Sequence, residues 1–268
     1  LLGGLRDAGA ELRSESRVHG IALADAGLAV QGDWGELHAS RVILATGGKA
    51  LPKSGSDGAG FAMATALGHT LTQPITPALV PLVLADGHWL RGLAGVALPA
   101  RLQLCSGAGK RLAHAEGSTL CTHFGLSGPA VLDISRHLLA ARHADAGARL
   151  EACWLPGETQ ETLDEWLLAA TGRGVGTMLR ERLPERMVRA VCEAAQVAPV
   201  STVQQMPREA RRRLVALLSA CPLPVVGDRG YTFAEATAGG VPLSELRLDT
   251  MESRVQPGLH LAGELCDV

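Results

Sequence analysis

The chain lacks the residue groupings that cysteine and metal chemistry require. Its six cysteines, at 105, 121, 153, 192, 221 and 266, include no CxxC pair and no cysteine–histidine spacing of a zinc site. This sets aside a structural metal and a disulfide framework, and it suits a reducing, cytoplasmic setting. A charge excess of either sign is missing too: the formal net charge is -2. No whole-molecule attraction to nucleic acid or to an anionic membrane follows from such a balance. Residues 61 to 85 carry no formal charge, but His69, Gln73, Pro74, Pro77 and Pro81 interrupt them, so no membrane span is expected. The start, Leu1-Leu2-Gly3-Gly4-Leu5-Arg6-Asp7, is not a basic region feeding an apolar one, so no signal peptide is read there. There is no initiator methionine, the opening reads as the inside of a helix, and the end follows a glycine-acid pair. The chain is therefore expected to be a fragment cut at both ends. No GxGxxG occurs anywhere in it.

With 268 residues, 47% hydrophobic content and 19% charge, the chain can bury a large core divided among two or three domains. Two stretches at its opposite ends share one design. Val42-Ile43-Leu44-Ala45 is an apolar run that reads as a strand buried on both faces and stops at Thr46-Gly47-Gly48. Pro257-Gly258-Leu259-His260-Leu261-Ala262-Gly263-Glu264 repeats the pattern of turn, short apolar strand, glycine and acid. In an open α/β sheet, ligands sit beyond the carboxyl ends of strands, where small residues admit a cofactor to the backbone. Two such ends suggest one shared site.

Between these stretches the texture changes several times. Leu1 to Ala8 reads as a helix with Gly9 as its C-cap, and Glu11 to Ser14 and Arg17 to Ala24 as extended segments. Turns at Asp25-Ala26-Gly27 and Gly32-Asp33-Trp34-Gly35 predict a meander whose last strand runs from Glu36 to Ala45. Residues 49 to 60 form a glycine- and hydroxyl-rich loop of the form GxxGxG, with Lys49 and Lys53 nearby, leading into a helix over Phe61 to Leu67. The prolines at 74, 77 and 81 mark a crossing between domains. Beyond them, strands at Gly95 to Leu104, Lys110 to Ala113 and Arg149 to Leu155 suggest a small barrel or sandwich. The bend Cys121 to Pro129 feeds a helix over Ala130 to Arg142. Residues 157 to 219 show helical periodicity in four segments, the last carrying Arg208, Arg211, Arg212 and Arg213, a solvated face or an RNA contact. Extended segments return at Pro222 to Val226, Tyr231 to Ala236 and Met251 to Val255.

Taken in order, Ile43 to Gly48 with Ser54 to Gly58, Thr122 to Leu132, Thr237-Ala238-Gly239-Gly240-Val241, Met251-Glu252-Ser253 and Pro257 to Glu264 resemble the BaiN/RdsA family of bacterial NAD(P)/FAD-dependent oxidoreductases, some of them labelled aminoacetone-oxidase-like. The resemblance covers nearly the whole chain. It implies an α/β fold: a Rossmann-like FAD-binding domain of the two-dinucleotide-binding type (residues 1 to 75 and 242 to 268), interrupted by a β-barrel (76 to 156 and 221 to 241). That barrel in turn carries a small helical insert (157 to 220). It further implies that the Val18 backbone meets the adenine and that Ala45, Thr46 and Gly47, with Gly48 beyond, pass the dinucleotide. Gly263 and Glu264 would lie by the ribityl and pyrophosphate, with Asp267 just past them. Thr237, Ala238, Gly239 and Gly240 would approach the flavin and substrate. His123, the histidine in a glycine-flanked bend, is the candidate proton donor or substrate contact, with a structural role at a domain junction as the other reading. The implied activity is NAD(P)H-driven reduction of a conjugated C=C bond in a small molecule or an RNA base, with FAD as cofactor. An RNA-binding module that modifies a base, or an inactive fragment, are the other readings. The sequence departs from the family in having no GxGxxG unit before Val18 and no glycine-rich stretch after Val268, so weak FAD binding is expected.

Overall fold

The computed structural model describes residues 2 to 267, without the side chain of Leu2, so the expected helix start at Leu1 lies outside the described residues. The chain divides into two compact units. One comprises residues 1–49, 53–75 and 239–268; the other comprises 50–52 and 76–238. The chain passes between them within the strands Thr72–Ala78 and Ala236–Pro242.

The first unit opens with the helix Leu2–Asp7, closed by Gly9 in the left-handed region at φ 69°. Glu11 to Ser14 is not a strand. The meander follows as Val18–Ala24, Gly27–Gly32 and Gly35–Ala39, joined by two-residue loops that pair Ala24 with Gly27 and Gly32 with Gly35. The expected single strand from Glu36 to Ala45 is broken at Ser40-Arg41. Its second half, Val42–Leu44, joins a different, four-stranded sheet with Leu246–Arg247, Glu252–Ser253 and Leu259–Leu261. Leu44, Leu259 and Leu261 pack with Phe61, Met63 and Ala64 of the helix Ala59–Ala66 in the unit's own hydrophobic cluster.

The second unit is built on a seven-stranded sheet that is antiparallel in all its pairings. Of its long central strands, Ala97–Cys105 and Arg111–Cys121, the first points Leu98, Ala100, Leu102 and Leu104 inward at every second residue. The helix Pro129–Ala144 lays Val131, Ile134 and Leu138 on that face, with Pro129 in its first turn, where a missing N–H costs nothing. The four expected helices form at Gln160–Ala169, Val175–Arg180, Glu185–Ala195 and Arg208–Ser219. Glu185–Ala195 shows why: Met187, Val188, Val191, Cys192 and Ala195 fall on one stripe and are buried. These helices share one continuous hydrophobic cluster with the sheet. Residues 231 to 235, expected to be extended, form turns instead.

Candidate functional site

In the first unit, Val42–Leu44 and Leu259–Leu261 run parallel and in register, with Val42 opposite Leu259, Ile43 opposite His260 and Leu44 opposite Leu261. The ladder is closed at its two ends by the Val42 amide donating to the Gly258 carbonyl (2.9 Å) and the Ala262 amide donating to the Leu44 carbonyl (3.1 Å). Because the strands are parallel, Ala45-Thr46-Gly47 and Ala262-Gly263-Glu264 leave the sheet at the same end. The expectation that Val42 to Ala45 is buried on both faces is corrected. Ile43 is 70% exposed and Ala45 is exposed, because only the face of this strand that carries Leu44 packs on the core.

The helix Ala59–Ala66 is docked tightly against this strand end. A Cβ on Gly60 would lie 1.8 Å from Thr46 Oγ1 and 3.2 Å from Leu265 Cδ1, so only glycine permits the approach. Asp57 accepts from the Ala59 amide at 3.0 Å, at the helix start, and pairs with Arg17 at the start of the meander. The Arg17 guanidinium, then the Ala59 amide, hold the Asp57 carboxyl below the usual carboxylate range. Asp33 is held low likewise, by the Arg17 amide and then by His19, whose Nε2 is 2.6 Å from Asp33 Oδ1. Between the meander and the helix lies a hollow of about 300 Å³, walled by Val18, Ile21, Ala59 and Met63, with Arg17 and His19 at its rim. Beside Gly47, the Ser56 hydroxyl is buried without a hydrogen-bond partner among the described residues. An orphaned hydroxyl, a hollow with apolar walls and two small-residue strand ends in one unit fit a bound dinucleotide. The loop that leads into this helix is of the form GxxGxG and not GxGxxG.

The remaining expected residues fall as follows. Asp267 follows Cys266 on a short strand that pairs parallel with Val241 and Pro242. A Cβ on Gly239 would lie 2.7 Å from the Thr72 carbonyl, and one on Gly240 2.7 Å from the Leu265 carbonyl. Close backbone packing thus accounts for this glycine pair. Val18, Ala45 to Gly48, Gly239, Gly240, Gly263, Glu264 and Asp267 belong to the first unit, whereas His123, Thr237 and Ala238 belong to the second. Thr237 Oγ1 accepts from the Ala50 amide at 3.0 Å. His123 is exposed, and its ring stands edge-on to Phe124 at 5.1 Å. Three of the four arginines of the last helix have partners. Arg211 binds Asp164 through two nitrogens, Arg212 reaches Glu209, and Arg213 Nε donates to the Ala195 carbonyl.

One constellation was invisible in the sequence. His69 is buried, with Nδ1 2.6 Å from Glu245 Oε2 and Nε2 2.8 Å from Ser253 Oγ. The Ser253 oxygen already accepts from the amides of Val255 (3.0 Å) and Gln256 (2.7 Å). Its proton therefore goes to His69 Nε2, and His69 donates from Nδ1 to Glu245. The order serine–histidine–carboxylate is that of a hydrolase triad, but both lone pairs of the serine are engaged and Ser253 and His69 are buried, so the hydroxyl cannot attack a substrate. It is a structural tie between the end of the Ala59–Ala66 helix and the Leu246–Ser253 hairpin. Burial raises the Glu245 acid, but hydrogen bonds from Thr70 and His69 outweigh it and hold the carboxyl below its usual range.

All six thiols are free and buried, and burial pushes Cys121 and Cys192 up to about 11 and Cys221 to about 12, which leaves them protonated and unreactive. Among the described residues no cluster of His, Cys, Asp or Glu could hold a metal, and no helix is long and apolar enough to cross a membrane.

The family model described as the HI0933-like protein barrel and H2TH domain matches residues 76–236. Over 256 residues, 94% of this chain and 62% of the relative, the sequence is 30% identical to the 3-dehydro-bile acid delta(4,6)-reductase of Clostridium scindens. Over 259 residues it is 32% identical to the ribosomal RNA dihydrouridine synthase of Escherichia coli, covering 96% of this chain and 62% of that protein. The Haemophilus influenzae protein of the same name is 29% identical over 85% of this chain and 54% of its own length. The chain thus spans about 62% of the length of the first two relatives. With the matched segment covering most of the second unit and the alignments running through the first as well, the chain belongs to the HI0933-like family.

Proposed function

We propose that the protein is an FAD-dependent oxidoreductase that uses NADH or NADPH to reduce a conjugated C=C bond. The observation that carries this reading is the in-register parallel pair whose ends, at Ala45-Thr46-Gly47 and Gly263-Glu264, emerge together beside a helix docked through Gly60. A bound flavin supplies hydride transfer, and the protein supplies position and electrostatics. In this reading Val18, with Ile21, Ala59 and Met63, forms the wall for the adenine, and Arg17 and His19 stand at the rim. Thr46, Gly47 and Gly48 line the path of the dinucleotide, where the Ser56 hydroxyl finds the acceptor or donor it lacks. Gly263 and Glu264 approach the ribityl and pyrophosphate, with Asp267 beyond them. Residues 237 to 240 are assigned to the flavin and substrate, and the exposed His123 is the candidate proton donor or substrate contact.

The names of the relatives support the reaction class. A delta(4,6)-reductase and a dihydrouridine synthase both saturate a C=C bond next to a carbonyl system. We assign residues 1 to 75 and 242 to 268 to the flavin domain, 76 to 156 and 221 to 241 to the barrel, and 157 to 220 to the helical insert. The substrate is a small conjugated carbonyl compound; a base of ribosomal RNA is the second reading, favoured by the names of two of the relatives. The test is an absorption spectrum of the purified protein under anaerobic conditions. Flavin bands that bleach with NADPH or NADH are expected. A preparation that is colourless and takes up no added FAD would overturn the assignment.

A further inference from the structure

The sequence contains three phenylalanines, and two of them, Phe124 and Phe233, bracket a single arginine in the second unit. The Arg229 guanidinium carbon lies 4.4 Å from the centre of the Phe124 ring and 4.0 Å from that of Phe233. The backbone beneath this stack is hydrogen-bonded. The Arg229 amide donates to the Pro81 carbonyl at 3.1 Å, the Phe233 amide to the Gly230 carbonyl at 3.0 Å, and the Leu84 amide to the Phe124 carbonyl at 3.0 Å. Asp228, the neighbouring acid, is turned to the Gly230 amide at 2.7 Å. Among the described residues no carboxylate pairs with Arg229, although ten other arginines each pair with a carboxylate. Two rings thus fix a guanidinium while its N–H donors stay uncommitted. The Phe233 ring is not consumed by the stack either, since the residue is 50% exposed. His123 extends the surface, edge-on to Phe124.

A ring that packed only for stability would be covered, and an arginine placed only for solubility would not need two aromatic faces. A flat apolar face next to a held, unpaired guanidinium is the pair of features that a nucleotide engages: the base stacks on the ring and the phosphate meets the cation. We propose that Phe233, Arg229 and Phe124, with His123 at the margin, form a nucleotide-binding patch on the second unit. Single-stranded RNA and a free nicotinamide nucleotide present this same chemistry. The patch does not depend on the flavin reading, because binding to it needs neither cofactor nor turnover.

The experiment uses the full chain and its Phe233→Leu and Arg229→Gln variants, with circular dichroism to establish that each is folded. A fluorescein-labelled oligouridylate of about eight nucleotides is followed by anisotropy at low salt, and NADPH by calorimetry. If RNA is the source, both substitutions weaken RNA binding by about tenfold, and Arg229→Gln lowers the slope of log affinity against log salt by about one. If the nicotinamide nucleotide is the source, NADPH affinity falls in both variants while RNA binding is unaltered. Folded variants that bind both probes as the wild type does, or a wild type that binds neither, overturn the proposal. A colourless preparation in the flavin test leaves this result standing, and a negative result here leaves the flavin assignment standing.

Discussion

At the scale of single residues, Gly60 is the sharpest constraint on the candidate site. Gly60→Ala puts a methyl group where Thr46 Oγ1 now lies, so the helix must back away from the strand end or Thr46 must turn. An overpacking cost of about 1–3 kcal/mol is expected in urea unfolding, and an unchanged midpoint would show that the helix is not docked there. The His69 tie makes a second prediction. Replacing His69 by alanine takes one partner from the Glu245 carboxylate and leaves the buried Ser253 hydroxyl proton without an acceptor, at a cost of about 1–3 kcal/mol, whereas an exposed histidine such as His38 should cost almost nothing. Because the Glu245 acid is held below its unfolded value, its contribution is complete above about pH 4.3 and is lost as the pH falls through the folded pKa. In Glu245→Gln that acid-side loss should shrink; an identical acid limb in both proteins would contradict the assignment. None of this was legible in the chain. Residues 69, 245 and 253 stand too far apart for any spacing rule, and only the fold brings them together.

At the scale of elements, the helices of the second unit were readable because their apolar positions repeat at the helical period and bury one stripe. Their caps were not read. Thr159 and Thr162 bind each other's backbone amides at the start of Gln160–Ala169, so Thr159→Ala is expected to cost about 1 kcal/mol, measured by thermal unfolding. The strands were less legible, for a physical reason. An apolar run reports that some face is buried, not which sheet the strand joins, so the break at Ser40-Arg41 and the outward turn of Ile43 left no local mark. The turn chemistry of the meander was different. Asp25-Ala26-Gly27 and Gly32-Asp33-Trp34-Gly35 announced both hairpins, because an aspartate followed within two residues by a glycine that can take positive φ suits a tight reversal. Of the arginine run of the last helix, Arg208, Arg212 and Arg213 are exposed, as a solvated face requires, whereas the acid that meets Arg211, Asp164, leaves no mark beside it in the sequence.

At the scale of the whole molecule, each unit has its own hydrophobic cluster: one joins the seven-stranded sheet to the helices, and the other joins the meander, the Ala59–Ala66 helix and the four-stranded sheet. A large-to-small change in one cluster should act on that cluster's own transition. Leu138→Ala is expected to lower stability by about 2–5 kcal/mol in a melt followed by tryptophan fluorescence, to which the buried Trp154 of the same cluster contributes. A loss below 1 kcal/mol would show that Leu138 is not part of that core. What the sequence conveyed at this scale was the repeated strand-and-glycine design at its two ends, and the structure sets those two strands side by side. The signal survived because parallel neighbours in a sheet need not be neighbours in sequence, while each still carries its own small-residue end.

The most direct measurement is an FAD titration of the chain followed through the flavin absorption and fluorescence, with Ala45→Leu as the comparison. Ala45 is exposed at the strand end, so leucine there burdens the core little and obstructs the approach to Thr46 and Gly47. A saturable change in the flavin spectrum is predicted for the wild type, with affinity lowered by about tenfold in the folded variant. Equal affinity in the two proteins, or no spectral change in either, would contradict a cofactor seat between the ends of these two strands.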